Sequence, residues 1–192
     1  METNKQKWLW EPYIPTGSTT LLIGHGTGRD ILTARIIAAT TNGTPAYEGY
    51  EALPFGKVMV ISAGEKYAES IQPMIRAAGV RRGGVYSYQS ADRDKTHAYD
   101  DPAIDIAVNN IRPMLLVMDE RAMGIPNVDP GAVAAAMDAI ANKYNCAVLI
   151  GGVDHRNRKL YGAVSSVIRA DYRGGFSHDK AKQQQGQTII AP

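Results

Sequence analysis

Apolar residues in this chain follow two rhythms. Four runs are nearly continuous: "TTLLI" (19–23), "KVMVIS" (57–62), "PMLLVMD" (113–119) and "CAVLIGG" (146–152). A strand that is apolar on consecutive positions is buried on both faces, as in a parallel sheet. Between these runs lie stretches with helical spacing. "DILTARIIAAT" (30–40) marks its faces with Ile31, Leu32, Arg35, Ile36 and Ala39, and "NGTP" ends it. "YAESIQPMIRAAG" (67–79) reads as a helix closed by Gly79, although Pro73 demands a kink or a later start. "PGAVAAAMDAIANKY" (130–144) is a helix opened by Pro130. Strands alternating with helices predict an α/β protein with a mainly parallel sheet.

Smaller pieces fill in the outline. "GVYSY" (84–88) reads as a short strand, and "SVIRADYR" (166–173) and "QTIIA" (187–191) as later, edge-type strands. "VRRGG" (80–84) is an exposed helix-to-strand turn. "SADRDKTHAYDDP" (90–102) is polar enough to be a loop, and "SHDKAKQQQGQ" (177–187) a polar hairpin or connection. No repeat or internal boundary shows, so residues 1–192 are expected to form one domain with a leading segment at 1–17. Trp8 and Trp10 in that segment are expected to pack under the core.

Composition excludes more than it identifies. Hydrophobic residues make up 44% of the chain, enough for a substantial core. A net charge of +2 is too small to imply nucleic acid or a membrane surface, so only a local basic cluster could make that case. Cys146 is the sole cysteine, which excludes an intrachain disulfide and a cysteine-based zinc cage. Within "NCAVLI" it reads as a small buried hydrophobe. His97 and His178 have no partners at metal-ligand spacing. "METNKQKWLWEP" lacks a signal-peptide core, and no stretch approaches ~18 apolar residues, so the expectation is a cytoplasmic protein with no membrane span.

Candidate chemistry begins after the first apolar run. "GHGTGRD" (24–30) places three glycines between a strand and a helix, the setting in which backbone N–H groups and a helix N-terminus hold phosphate. Against the pattern G-x-x-x-x-G-K-[ST], Gly28 matches the second glycine, Arg29 replaces Lys and Asp30 replaces Ser or Thr. Ile23 holds the first glycine's position, with Gly24 one step later. As a nucleotide loop, Gly24, His25, Gly26, Thr27, Gly28, Arg29 and Asp30 would form the binding surface; as a plain tight turn they would hold nothing. "MDE" (118–120) ends an apolar strand as a Walker B strand does, with Asp119 placed for Mg²⁺, or else is a solvated strand terminus. Glu65 follows the second strand, where a helix-cap neighbourhood is the simpler reading.

The ordered series "WLWEPYIPTGSTTLLIGHGTG", "GEKYAESIQPMIRAAG", "LLVMDERAMG", "AIANKYNCAVLIGGVDH" and "LYGAVSSVIRADY" resembles the RepA-like hexameric helicase ATPases of plasmids and phages, over roughly residues 8–175. The resemblance implies a RecA-like P-loop three-layer sandwich with ATP and Mg²⁺ as cofactors. It implies Asp119 on the metal, Glu65 polarising the attacking water, and a role in DNA replication or processing. It also implies self-association, as a hexamer in that family, and single-stranded DNA as a partner. Arg156, Arg158 and Lys159 in "DHRNRKLY" (154–161) would then be trans-acting or DNA-contacting cations; a solvated basic loop is the alternative. "GAVSS" (162–166) stands for the family's Gly-Ser-Ser turn. "GGVDH" stands for its His pair, with only His155 remaining.

The departures bear on the chemistry. Arg29 keeps a positive charge, but its planar fork does not replace Lys. Asp30 is the sharper change. A carboxylate ~4 Å from a phosphate charge repels it by about 4 kcal/mol at an effective dielectric near 20, about three decades of affinity. Mg²⁺ held by Asp30 and Asp119 could offset that repulsion. Otherwise Asp30 sits in the helix's first turn, pairs with Arg29 and fills the anion site from within. Two outcomes stay open: an ATPase, and a catalytically inactive relative that scaffolds a ring or binds DNA.

Overall fold

The computed structural model describes residues 6–24, 26–62, 69, 71–88, 99, 101–119, 129–153, 163–170, 176–179 and 189–190. The four continuous apolar runs become strands β3 (Thr19–Gly24), β4 (Val58–Ile61), β6 (Leu115–Asp119) and β7 (Ala147–Val153). All pair in parallel within one sheet, where they are joined by β5 (Val85–Tyr88) and β8 (Ser166–Ala170). Two antiparallel strands, β9 (Phe176–Asp179) and β10 (Ile189–Ile190), extend one edge, giving the order β10-β9-β8-β3-β7-β6-β4-β5. A separate two-stranded hairpin, β1 (Trp8–Trp10) with β2 (Ile14–Pro15), precedes the sheet.

Alternation along each strand sends side chains to two cores. Leu22, Val60, Val117 and Leu149 face one layer, and Leu21, Ile61, Met118 and Ile150 the other. Helix α1 (Gly26–Asn42) covers the first face with Leu32, Ile36 and Ile37, helped by Ile75 of α2 (Gln72–Ala77). Helices α3 (Pro102–Ile111) and α4 (Pro130–Tyr144) cover the second with Ile104, Val108, Val133 and Met137. This is the three-layer α/β sandwich with a mainly parallel sheet that the RecA-like resemblance implies. No described helix is long and apolar enough to cross a membrane.

Local chemistry explains most boundaries. Asp101 and Asp129 cap α3 and α4, accepting from Ala103 N–H at 2.8 Å and Ala132 N–H at 3.2 Å. Pro102 and Pro130 follow them at the first helical position. Arg112 and Asn145 end the same helices at φ 52°, and Gly43 ends α1 at φ 66°. Buried hydroxyls on α1 return to the helix itself, as Thr40 Oγ1 does to Ile36 O at 2.8 Å. Pro73 stands where the winding changes: Glu69 and Ile71 belong to a π-helical turn, and the α-helix α2 begins at Gln72 with this proline in its first turn.

Several expectations need correction. Helix α1 starts at Gly26, so most of the expected loop 24–30 is helical and Asp30 lies one turn inside, not in the first turn. Strand β8 is no edge strand: it pairs with β3 on one side and β9 on the other. Segment 103–111, which the apolar runs left unassigned, is the capped helix α3. Trp10 is buried as expected, in an aromatic cluster with Tyr13, Tyr47 and Tyr50, whereas Trp8 is half-buried.

Cys146 is fully buried ahead of β7, and burial pushes its thiol from the ordinary 9.0 up to about 11. The folded protein should therefore react with a disulfide reagent at pH 8 only as fast as it opens; modification at the rate of free cysteine would contradict the placement. Below pH 9 both folded and unfolded thiols are protonated and the linkage contribution is fully present. Between about 9 and 11 the unfolded thiol ionises while the folded one does not, so stability should fall in that window, and Cys146→Ala should abolish that part of the fall.

Candidate phosphate-loop site

Parallel strands bring all their carboxyl ends to one edge of the sheet, which is where ligands bind in open α/β folds. The chain leaves β4 towards α2 on the first face and leaves β6 towards α4 on the second. Such a divergence between neighbouring strands opens a crevice. A small cavity lies there, about 30 Å³, between the first half of α1 and the ends of β4, β6 and β7. Its polar wall is Arg29, Asp30, Thr33 and Asp119; Val60, Val117, Ile71 and Met74 close much of the rest. That volume is room for about two water molecules. A wider cavity of about 600 Å³ lies at the other end of the strands, between residues 8–11 and 49–54, away from the glycine-rich turn.

The turn itself is tighter than a phosphate loop. Strand β3 runs through Gly24 and α1 begins at Gly26, leaving one residue between them. Gly24 has its own reason to be glycine. Its φ is +151°, and an added Cβ would lie 2.7 Å from the carbonyl oxygen of Ala170 on β8. Close packing of two strands therefore accounts for that position without any ligand. Thr27 is exposed and Gly28 buried, both already helical. The N–H groups of the first helical turn still lack intrahelical partners and face the sheet's carboxyl edge.

Arg29 and Asp30 dominate the electrostatics. Arg29 is only 8% exposed. Its Nε and Nη2 both donate to Asp30 Oδ1, at 3.0 and 2.8 Å. Consecutive helix positions point about 100° apart, so their side chains do not meet unless the longer one folds back. Arg29 folds back here, along the helix flank, where a phosphate-binding side chain would reach beyond the N-terminus. Thr33 Oγ1 donates to Arg29 O at 2.9 Å and fills the next turn. Charge and countercharge are both supplied from within the helix.

Asp119 ends β6, 9% exposed, in register with Gly151 of β7. It is the expected strand-end carboxylate and shares the cavity with the Arg29–Asp30 pair. Ser62 was passed over by motif reasoning. It follows β4 directly, one step beyond the Ile61–Met118 pairing, and therefore next to Asp119 in register. It is 1% exposed, and its hydroxyl has no hydrogen-bond partner among the described residues, a costly state for a buried donor. A polar residue closing an apolar strand was its only sequence signal.

Among the described residues no three acidic, histidine or cysteine side chains converge as a metal cage. With Arg29 beside it, Asp30 offers a dication a neighbouring positive charge rather than a free carboxylate, so the pair as placed does not fit resident Mg²⁺. His25, Glu65, Glu120, His155, Arg156, Arg158 and Lys159 lie outside the described residues. No protein-family model matches the chain, and no curated protein is found to match it.

Substitutions should separate the two partners. Asp30 retains 26% side-chain exposure against 10% for Arg29, so it can hydrate if left alone. Asp30→Ala removes both the acceptor and the countercharge of the guanidinium and should cost about 1–3 kcal/mol. Arg29→Met removes the buried charge and fills the same space, and should cost less. Urea unfolding of both variants measures this; equal losses, or a larger one for Arg29→Met, would show that Asp30 does not hold Arg29 in place.

Proposed function

We propose that the chain is a RecA-like domain of a DNA-replication or DNA-processing system that keeps the frame of a nucleotide site without its hydrolytic chemistry. It serves as a catalytically inactive pseudo-ATPase, a scaffold or DNA-binding subunit. The observation that carries this reading is the Arg29–Asp30 pair along α1, with Arg29 8% exposed and two of its five N–H donors on one carboxylate oxygen. For ATP to bind productively, the pair must separate, Arg29 must swing outward and the first turn of α1 must loosen around the phosphates. Asp30 would then face the incoming charge with a repulsion of about 4 kcal/mol.

A second reading keeps nucleotide binding, favoured by the convergence of Arg29, Asp30 and Asp119 on one cavity at the carboxyl edge. Here Arg29 turns outward to the phosphates, and Asp119 with Asp30 faces Mg²⁺. Hydrolysis would need a water-activating group, for which Glu65 is the candidate. Self-association, and the part of Arg156, Arg158 and Lys159 in it, belong to both readings.

Titration with a fluorescent ATP analogue and Mg²⁺, followed by phosphate release, separates them. The first reading expects no release above background: binding without release supports a pseudo-ATPase, and no binding at millimolar nucleotide supports a scaffold. Release would overturn the first reading and support the second. Arg29→Lys combined with Asp30→Ser should raise affinity at least tenfold, short of the three decades that the repulsion alone is worth, because the helix turn must still loosen. Unchanged affinity in a folded double variant would mean that this turn is not the nucleotide site.

A further inference from the structure

At the amino-terminal edge of the sheet, opposite the cavity, three connections cross one small area. Residues 55–57 lead into β4, the turn 81–84 into β5, and Arg112 closes α3 ahead of β6. Backbone bonds tie them together: Val58 N–H to Gly84 O at 2.9 Å, Gly84 N–H to Arg81 O at 3.0 Å and Met114 N–H to Lys57 O at 2.8 Å. Lys57 Nζ also donates to Ile111 O at 3.3 Å. The backbone of this edge is therefore held by its own hydrogen bonds.

Among the described residues three large hydrophobic side chains are exposed, and two of them, Phe55 at 57% and Tyr86 at 37%, stand here. Each carries a cation. The Arg81 guanidinium lies 4.9 Å from the Phe55 ring centroid, and Lys57 Nζ 5.6 Å from that of Tyr86. Arg112 lies 5.3 Å from the ring of Tyr144 beyond Ile111, and Arg82 is exposed beside Arg81. Lys143 is held by Asp105 at 2.8 Å, whereas none of Lys57, Arg81, Arg82 and Arg112 forms an ion pair with another described residue. Arg112 donates to Asn109 O and Oδ1, at 3.0 and 2.8 Å, so four cations gather on this edge with no described carboxylate bound to them. Arg81 lies over one face of the Phe55 ring, and more than half of that side chain stays open to solvent. A cationic track with interleaved exposed rings is the arrangement that holds a strand whose bases are free to stack.

We propose that this amino-terminal edge binds single-stranded DNA, with Lys57, Arg81, Arg82 and Arg112 on the phosphates and Phe55 and Tyr86 as stacking surfaces. A duplex keeps its base faces covered and could use only the cations. The choice of DNA rests on the proposed role in DNA processing; the surface is independent of how the phosphate site is read. Nucleotide hydrolysis would overturn the pseudo-ATPase reading and leave this surface standing.

The test is fluorescence anisotropy of labelled oligo(dT) with the full chain across a range of salt concentrations. The triple variant Lys57→Ala/Arg81→Ala/Arg82→Ala should bind at least tenfold more weakly, with a log–log salt slope shallower by about 2, at about 0.7 per phosphate contact. Phe55→Ala should weaken binding about fivefold and leave the slope unchanged, as loss of one stacked base would. Arg82→Glu, whose side chain is exposed, gives a second reading if the triple variant melts early. Wild-type affinities and slopes in all three folded variants would overturn the proposal. So would no binding by the wild type at low salt, tighter binding of duplex or oligo(U), or association with anionic vesicles alone. Loss of binding confined to an Arg156→Ala/Arg158→Ala/Lys159→Ala variant would also overturn the surface, while DNA binding itself would stand.

Discussion

Burial of the parallel sheet on both faces is the constraint from which the rest of this structure follows. Strands β3, β4, β6 and β7 present apolar side chains to two layers at once, so each needs a helix above and below it. Helices can reach both faces only as crossovers, and crossovers between parallel strands collect every strand's carboxyl end at one edge. Gly24, Ser62, Asp119 and Gly151 are thereby drawn into one neighbourhood from four distant parts of the chain. The same rule sends their opposite connections, around Phe55, Arg81 and Arg112, to the other edge. Two candidate surfaces thus arise from one packing requirement.

What happens at the carboxyl edge depends on a short-range competition. An N-terminal helix turn attracts anions, and a phosphate would normally meet that demand. Here the neighbouring cation is bound by the next residue of the same helix, and the wall beyond it is made of Val60, Val117 and Met74. Separating the pair leaves the Arg29 charge against a largely apolar wall, so the paired state is favoured unless an incoming ligand supplies more than it displaces. The closeness of Gly24 to Ala170 adds to this: that glycine is needed to bring β3 and β8 together, whatever the turn binds.

The sheet was legible in the sequence because buried parallel strands leave no polar position to confuse the pattern. The helix 130–144 was equally clear, since a proline at its start and an alanine-rich body agree. Other elements were hidden for definite reasons. Three glycines in seven residues argue for a loop, yet Gly26 and Gly28 are helical because packing of the α1 body against the sheet outweighs their poor propensity. Helix α3 has only Ile104 and Val108 fully buried, too few to announce a helix beside the polar stretch before it. Strand β8 looked like an edge because Arg169 is exposed, although Val167 and Ile168 are buried between β3 and β9. At the site, residue identities gave the Arg29–Asp30 conflict, but only the folded-back guanidinium shows how it is resolved. Ser62 and the basic edge depend on register across strands, which no linear motif records.

The central claim is that Arg29 is paired with Asp30 and not turned towards a phosphate. Its most direct test is the ¹⁵N–¹H resonance of the Arg29 guanidinium Nε–H, assigned by loss in Arg29→Lys. The account predicts slow solvent exchange, abolished in Asp30→Ala, and a chemical shift that millimolar Mg²⁺–ATP does not move. Rapid exchange in the unliganded protein, or a resonance that shifts as nucleotide is added, would mean that the pair opens and that the phosphate site is still in use.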